Sequence, residues 1–261
     1  MSTYSSAILR WALIVCPKIS TIFLELHDFS NAKICMNIIQ NCNLACLKYF
    51  RIDSPYTPDN DESEPDWEHL QNKLVRILRS YITTPPIQKL ELSCDCGAID
   101  VDLLDMVART VEELELNFNT NSERVLDYGA ILQAIERSRH LKVLRINGSS
   151  SEVISVTSQS LKSLEIFGSS LIDELRIGAL SCPVLNELTY SGYIFELRPS
   201  CTLGFAESLE TLELHFLDWR QEDDHIEIER INEMSEAIQR LPKLRSIYLM
   251  AAAFVRFFEV S

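Results

Sequence analysis

Apolar residues recur along this chain in one spacing, apolar-x-x-apolar-x-apolar. The spacing is plainest where it is nearly duplicated. Leu141-Lys-Val-Leu-Arg-Ile-Asn-Gly-Ser-Ser150 is followed 20 residues later by Leu161-Lys-Ser-Leu-Glu-Ile-Phe-Gly-Ser-Ser170, with seven of ten positions identical. The same phrase can be laid on starts at Ile19, Leu47, Ile87, Val111, Leu141, Leu161, Leu185, Leu209 and Leu244. Its second half alternates with period two, which predicts a short strand with the second and third apolar residues turned into a core. A unit of this length cannot cover its own apolar face, so the repetition predicts stacked units that bury one continuous core.

The flanks support the same division. Three residues before the starts stand Cys16, Leu44, Thr84, Ala108, Ser138, Ser158, Cys182, Ala206 and Leu241. None is charged, as expected of a buried position that closes the preceding turn or helix. Pro17, Pro85, Pro183 and Pro242 come next, separating any helical arm from the strand. Gly148, Gly168 and Gly192 stand seven residues after their starts, where a short strand must turn away. Helical periodicity marks arms at 66–82, 122–139 and 227–241, with shorter candidates at 31–42 and 98–109. Ser6 to Cys16 has the spacing of a capping helix. The stretch from Leu161 to Leu185 has no room for a full helix and is expected to be extended or turn-like. Strands alternating with helices at this period predict an α/β fold with a parallel sheet on one wall.

The phrase resembles the leucine-rich repeat, and Cys16-Pro-Lys-Ile19 and Cys182-Pro-Val-Leu185 resemble the cysteine-containing repeats common in F-box proteins. The resemblance runs over about residues 15–250. It implies a solenoid, or horseshoe, of about nine irregular repeats in a single domain spanning 1–261. Its parallel sheet would line the concave side, with helices or extended turns on the convex side. It also implies recruitment of substrates to a ubiquitin ligase. No F-box segment is recognisable ahead of Cys16, so docking to ligase components transfers to no residue here.

Composition narrows the class of partner. Twenty-four Lys and Arg against 38 Asp and Glu give a formal charge of −14. That balance disfavours nucleic acid, whose non-specific binding depends on basic residues neutralising phosphates, and favours a protein or peptide with a basic surface. Residues 53–66 carry six acids and no base, and predict an acidic mobile loop. The eight cysteines form no Cys-x-x-Cys pair and follow no signal-like segment. They read as reduced, mostly buried thiols of a cytoplasmic or nuclear protein. Apolar runs are too short to span a membrane.

No nucleophile elbow, phosphate loop, dinucleotide fingerprint or zinc-protease helix appears, and the five histidines form no relay. Catalytic, cofactor and metal sites are therefore not expected. What the repeat does display is a row of residues between the buried ones. Its candidate binding residues are Phe23, Tyr49, Glu91, Glu113, Glu115, Arg145, Glu165, Phe167, Glu187, Glu213, His215 and Tyr248. They read as an acidic concave face with aromatic anchors. The expected function is that of a non-catalytic binding scaffold or adaptor. Two other readings remain: a structural subunit that assembles through its apolar end, Phe254 to Phe258, and an enzyme with a loop-borne site near Cys94, Asp95 and Cys96.

Overall fold

The computed structural model describes residues 11, 14–16, 18–25, 37, 39, 46–53, 87–95, 110–119, 128–148, 153–168, 176–192, 207–216, 232–233 and 235–251. Chain contacts divide the protein into two compact units, Met1–Leu126 and Asp127–Ser261. In each, the described residues are mainly parallel strands.

The first unit contains β1 (Thr21–Glu25), β2 (Tyr49–Asp53), β3 (Lys89–Asp95) and β4 (Glu113–Asn119), paired in chain order and all parallel. Every strand begins at the third residue of a phrase. The register sets equivalent apolar residues side by side, so Ile22, Phe50, Leu90 and Leu114 form one buried row. Ile39, at a helical position within the 31–42 arm, is also buried.

The second unit opens with helix α1 (Tyr128–Arg137), which lies inside the arm expected at 122–139 and buries Ala134 and Ile135. Five parallel strands follow in one ladder: β5 (Val143–Gly148), β7 (Ser163–Gly168), β9 (Glu187–Gly192), β10 (Thr211–Phe216) and β11 (Ser246–Ala251). Leu144, Leu164, Leu188 and Leu212 are directly opposed and fully buried, as are Ile146, Ile166, Tyr190 and Leu214. Burying each such side chain stabilises the fold by about 1.5–3 kcal/mol, and the row repeats that gain at every junction. β6 (Val153–Thr157) and β8 (Arg176–Ser181) pair in parallel as a separate layer, with α1 beside β6. The expectation of extended chain between Leu161 and Leu185 is met by β8.

One main-chain device fastens the strands. The carbonyl of a phrase's second residue accepts two amides from the next phrase, those of its second and third residues. Ser20 accepts Lys48 and Tyr49, and Glu210 accepts Arg245 and Ser246; seven junctions do this, at 2.8–3.1 Å.

The position three residues before a start behaves in two ways at four described phrases. Ser138 and Ser158 are buried, and each hydroxyl accepts the backbone amide that opens its phrase, Leu141 or Leu161. At Cys16 and Cys182 the backbone closes a turn instead, with Ile19 and Leu185 amides donating to the cysteine carbonyls. Proline after the cysteine presets such a turn. Burial holds at Cys182 but fails at Cys16, which is exposed, as is Cys46. The physical difference lies in the neighbours. Cys182 Sγ packs on the Val156 carbonyl of β6 at 3.6 Å, whereas Cys16 precedes the outermost strand of its unit. Burial pushes the Cys182 thiol up to about 11 against a lowering backbone hydrogen bond from Ser158.

Tyr190 occupies a slot that Ile or Leu fills in neighbouring strands, and it is fully buried. Gly192, two residues on and therefore on the same face, makes room for it. A Cβ there would lie 2.7 Å from Tyr190 Cζ.

The helical arms expected at 66–82 and 98–109 and the loop at 53–66, apart from strand residue Asp53, lie outside the described residues, as does Phe254–Phe258. Within the 227–241 arm, residues 232–233 and 235–239 are helical.

Candidate functional site

The third, fifth and seventh residues of each phrase share the face opposite the leucines, because side chains alternate along a strand. All twelve candidate residues stand at these positions, five in the first unit and seven in the second.

In the first unit, the face is organised around Glu91. It is only 4% exposed although it belongs to the polar row. Arg51, directly opposite on β2, meets Glu91 Oε1 through NH1 at 2.9 Å. Tyr49, one diagonal step away, donates its hydroxyl hydrogen to Glu91 Oε2 at 2.5 Å. A buried carboxylate needs such partners, since an unpaired one would cost several kcal/mol. The Tyr49 ring is itself held on two sides. Phe23 stands edge-on to it with centroids 4.9 Å apart, and Lys89 Nζ lies 4.7 Å from its centroid. Burial, reinforced by the hydrogen bond to Glu91 and that carboxylate's charge, raises the Tyr49 phenol to about 12. Phe23 remains 58% exposed, an aromatic edge on an otherwise polar face.

Glu115 faces Glu91 directly across the β3–β4 ladder, and Lys89 faces Glu113. Glu115 accepts a hydrogen bond from Asn117 at 3.2 Å. Two carboxylates opposed in neighbouring strands repel, and Arg51 pairs with Glu91.

In the second unit, Arg145 and Glu165 are directly opposed on β5 and β7 and pair at 2.8 Å through Nε. Phe167 lies beside Asn147 in the same ladder, and Thr189 beside Glu165. Glu187 is exposed, next to Ser163, which is buried despite its place in the polar row. Glu213 Oε1 lies 2.6 Å from His215 Nε2, two residues along the same strand. Tyr248, opposite Glu213 on β11, is 60% exposed.

In each unit the polar face is therefore less uniformly acidic than the count of glutamates suggests. Glu91 and Glu165 are matched to arginines at the same phrase position one strand earlier. That signal is readable by aligning fifth residues of successive phrases: Arg51 then Glu91, and Arg145 then Glu165. Charge counting also hides the place of Lys89, whose ammonium stands over the Tyr49 ring. Among the described residues, no three His, Cys, Asp or Glu side chains gather as a metal site, and no helix is long and apolar enough to cross a membrane. Cys94, Asp95 and Cys96, the loop-borne alternative, lie at the end of β3 and beyond, where no side chain is described.

No protein-family model matches the chain, and no curated protein matches it in sequence.

Proposed function

We propose that this protein is a leucine-rich-repeat scaffold that binds a protein or peptide through the polar face of its strands, and that the partner surface is basic. The solenoid reading is supported by the regular phrase, the one-strand-per-phrase ladder and the shared-carbonyl junctions. The observation that carries the binding reading is the opposition of Glu91 and Glu115 in the same polar row as the exposed Phe23, with Arg51 between. A lysine or arginine entering there relieves a like-charge contact, while an aliphatic or aromatic neighbour covers the Phe23 edge. Desolvated aromatic anchors flanked by polar groups dominate many protein interfaces. Acidic groups around them speed encounter with a basic partner more than they set affinity.

The resemblance to cysteine-containing repeats favours an adaptor role, with substrate recruitment in a ubiquitin-ligase setting as its specific form, and a cytoplasmic or nuclear location. The test is affinity capture with the intact chain beside two variants. One carries Phe23→Ser with Glu115→Lys; the other carries Glu187→Lys with His215→Ala. Partners held by the intact chain and lost from a variant that keeps its melting temperature support the polar face as the binding surface. Recovery of the same partners with all three proteins overturns it.

A further inference from the structure

Apart from Val184, the large apolar side chains that remain exposed among the described residues fall at two places. Trp11, Ile14, Val15 and Phe23 lie on or just before β1, and Ile247, Tyr248, Leu249 and Met250 lie on β11. β1 and β11 are the outermost described strands of their respective units. On β11 the exposure is out of keeping with the repeat. Leu249 is 55% exposed, while Leu214, directly opposite it on β10, is fully buried.

The junction rule specifies what each edge offers. At every junction the third residue's amide points to the preceding strand, and the second residue's carbonyl points to the following one. By that rule β11 presents the carbonyl of Arg245 outward, at the place where seven equivalent carbonyls each take two amides. By the same rule β1 presents the amides of Ser20 and Thr21 outward, at the place where the later strands donate theirs. The two edges are complementary in partial charge and in strand direction. They also match in side chains. In the common register Ile22 would face Ile247 and Phe23 would face Tyr248. That second pair would extend the ring contact already made by Phe23 and Tyr49.

We infer that the β11 edge of one molecule takes the β1 edge of a second copy as its next parallel strand, with Ser20 and Thr21 donating to the Arg245 carbonyl. Strand addition of this kind draws affinity from main-chain hydrogen bonds and register from alternate side chains. The contact joins two different surfaces, so it generates a head-to-tail series rather than a two-fold dimer. It rests on the ladder and on the exposed edge side chains, and it shares Phe23 with the polar-face reading without requiring a basic partner.

Sedimentation velocity of the full chain over a concentration series tests it. The expected result is a sedimentation coefficient that keeps rising with concentration past the value for a dimer. Thr21→Pro removes the outward amide while leaving the carbonyl contacts to β2, and Leu249→Lys places a charge on the β11 edge. Each variant alone should sediment as a monomer. Mixed in equal amounts they should form a dimer, because each retains the edge the other has lost. Phe23→Lys replaces Thr21→Pro if the proline variant fails to show a cooperative thermal melt. A wild-type chain that is monomeric at every concentration overturns the inference. So does one that stops at a dimer, or a variant mixture that stays monomeric.

Discussion

Tyr49 and Glu91 sit one diagonal step apart on β2 and β3, and the phenol spans that step by donating to Oε2 at 2.5 Å. Because Arg51 holds the other carboxylate oxygen, the two strands are joined on their polar face by a three-residue network as well as by backbone. Glu91→Ala should lower stability by about 2 kcal/mol, less than the 3–5 kcal/mol typical of a fully buried pair because water reaches Arg51. Tyr49→Phe should cost about 1 kcal/mol. Denaturant titrations of the singles and the double should give a sum larger than the double's loss, by about 1 kcal/mol, since the residues share one contact.

Alkaline pH acts on the same network. The Tyr49 phenol is raised from 10.0 to about 12, so the fold favours its protonated form. The resulting contribution to stability is fully present below pH 10 and is lost as pH rises through about 12. Ultraviolet difference titration against Tyr49→Phe should show one late-ionising tyrosine. Its absence, with all tyrosines titrating together near pH 10, would refute the assignment.

Thiol reactivity should separate cysteines that sequence alone makes look alike. Cys182 is buried with its thiol pushed up to about 11, so almost none of it is thiolate at neutral pH, whereas Cys16 and Cys46 are exposed. Timed alkylation of the native protein, read by peptide mass spectrometry, should label Cys16 and Cys46 well before Cys182. Equal rates at the three sites would mean that the β6 layer does not cover Cys182.

The Tyr190–Gly192 pair predicts a compensation. Gly192→Ala should destabilise by about 1–3 kcal/mol through overpacking against the Tyr190 ring. Combining it with Tyr190→Leu should cost less than the sum of the two single changes, because the smaller side chain vacates the space the new methyl needs. Strict additivity in thermal or denaturant unfolding would show that the glycine serves some other purpose.

Position within the ladder should matter more than residue type. Leu214→Ala removes a fully buried side chain and should cost about 3 kcal/mol. Leu249→Ala, at the equivalent third apolar position of its phrase but exposed, should cost under about 0.5 kcal/mol. A large loss at Leu249 would show that its side chain is covered in solution.

The strand positions and the buried row were legible because they follow from spacing alone: Leu144, Leu164 and Leu188 oppose one another as the phrase implies. The chemistry of the polar face was legible only in part. Spacing tells which side a residue faces but not what stands beside it, and the Arg51–Glu91 and Arg145–Glu165 pairs depend on exact register. The hydroxyls of Ser138 and Ser158 close their turns through geometry that an uncharged-position rule cannot distinguish from the backbone turns at Cys16 and Cys182. β6 escaped notice because Val153–Thr157 lies between two strong phrases and pairs with β8, outside the main ladder. Cys16 carries the same local motif as Cys182 and still differs in exposure, since burial there is supplied by a neighbouring element and not by the motif.

The acceptors at the seven junctions are Ser20, Lys48, Gln88, Lys142, Lys162, Asn186 and Glu210: hydroxyl, ammonium, amide and carboxylate in the same structural office. Since only their main-chain groups take part, mutation to residues other than proline can rewrite these side chains with little penalty to the architecture. Side-chain identity and foldability are thereby uncoupled at these sites, which lets the surface diversify while the framework persists.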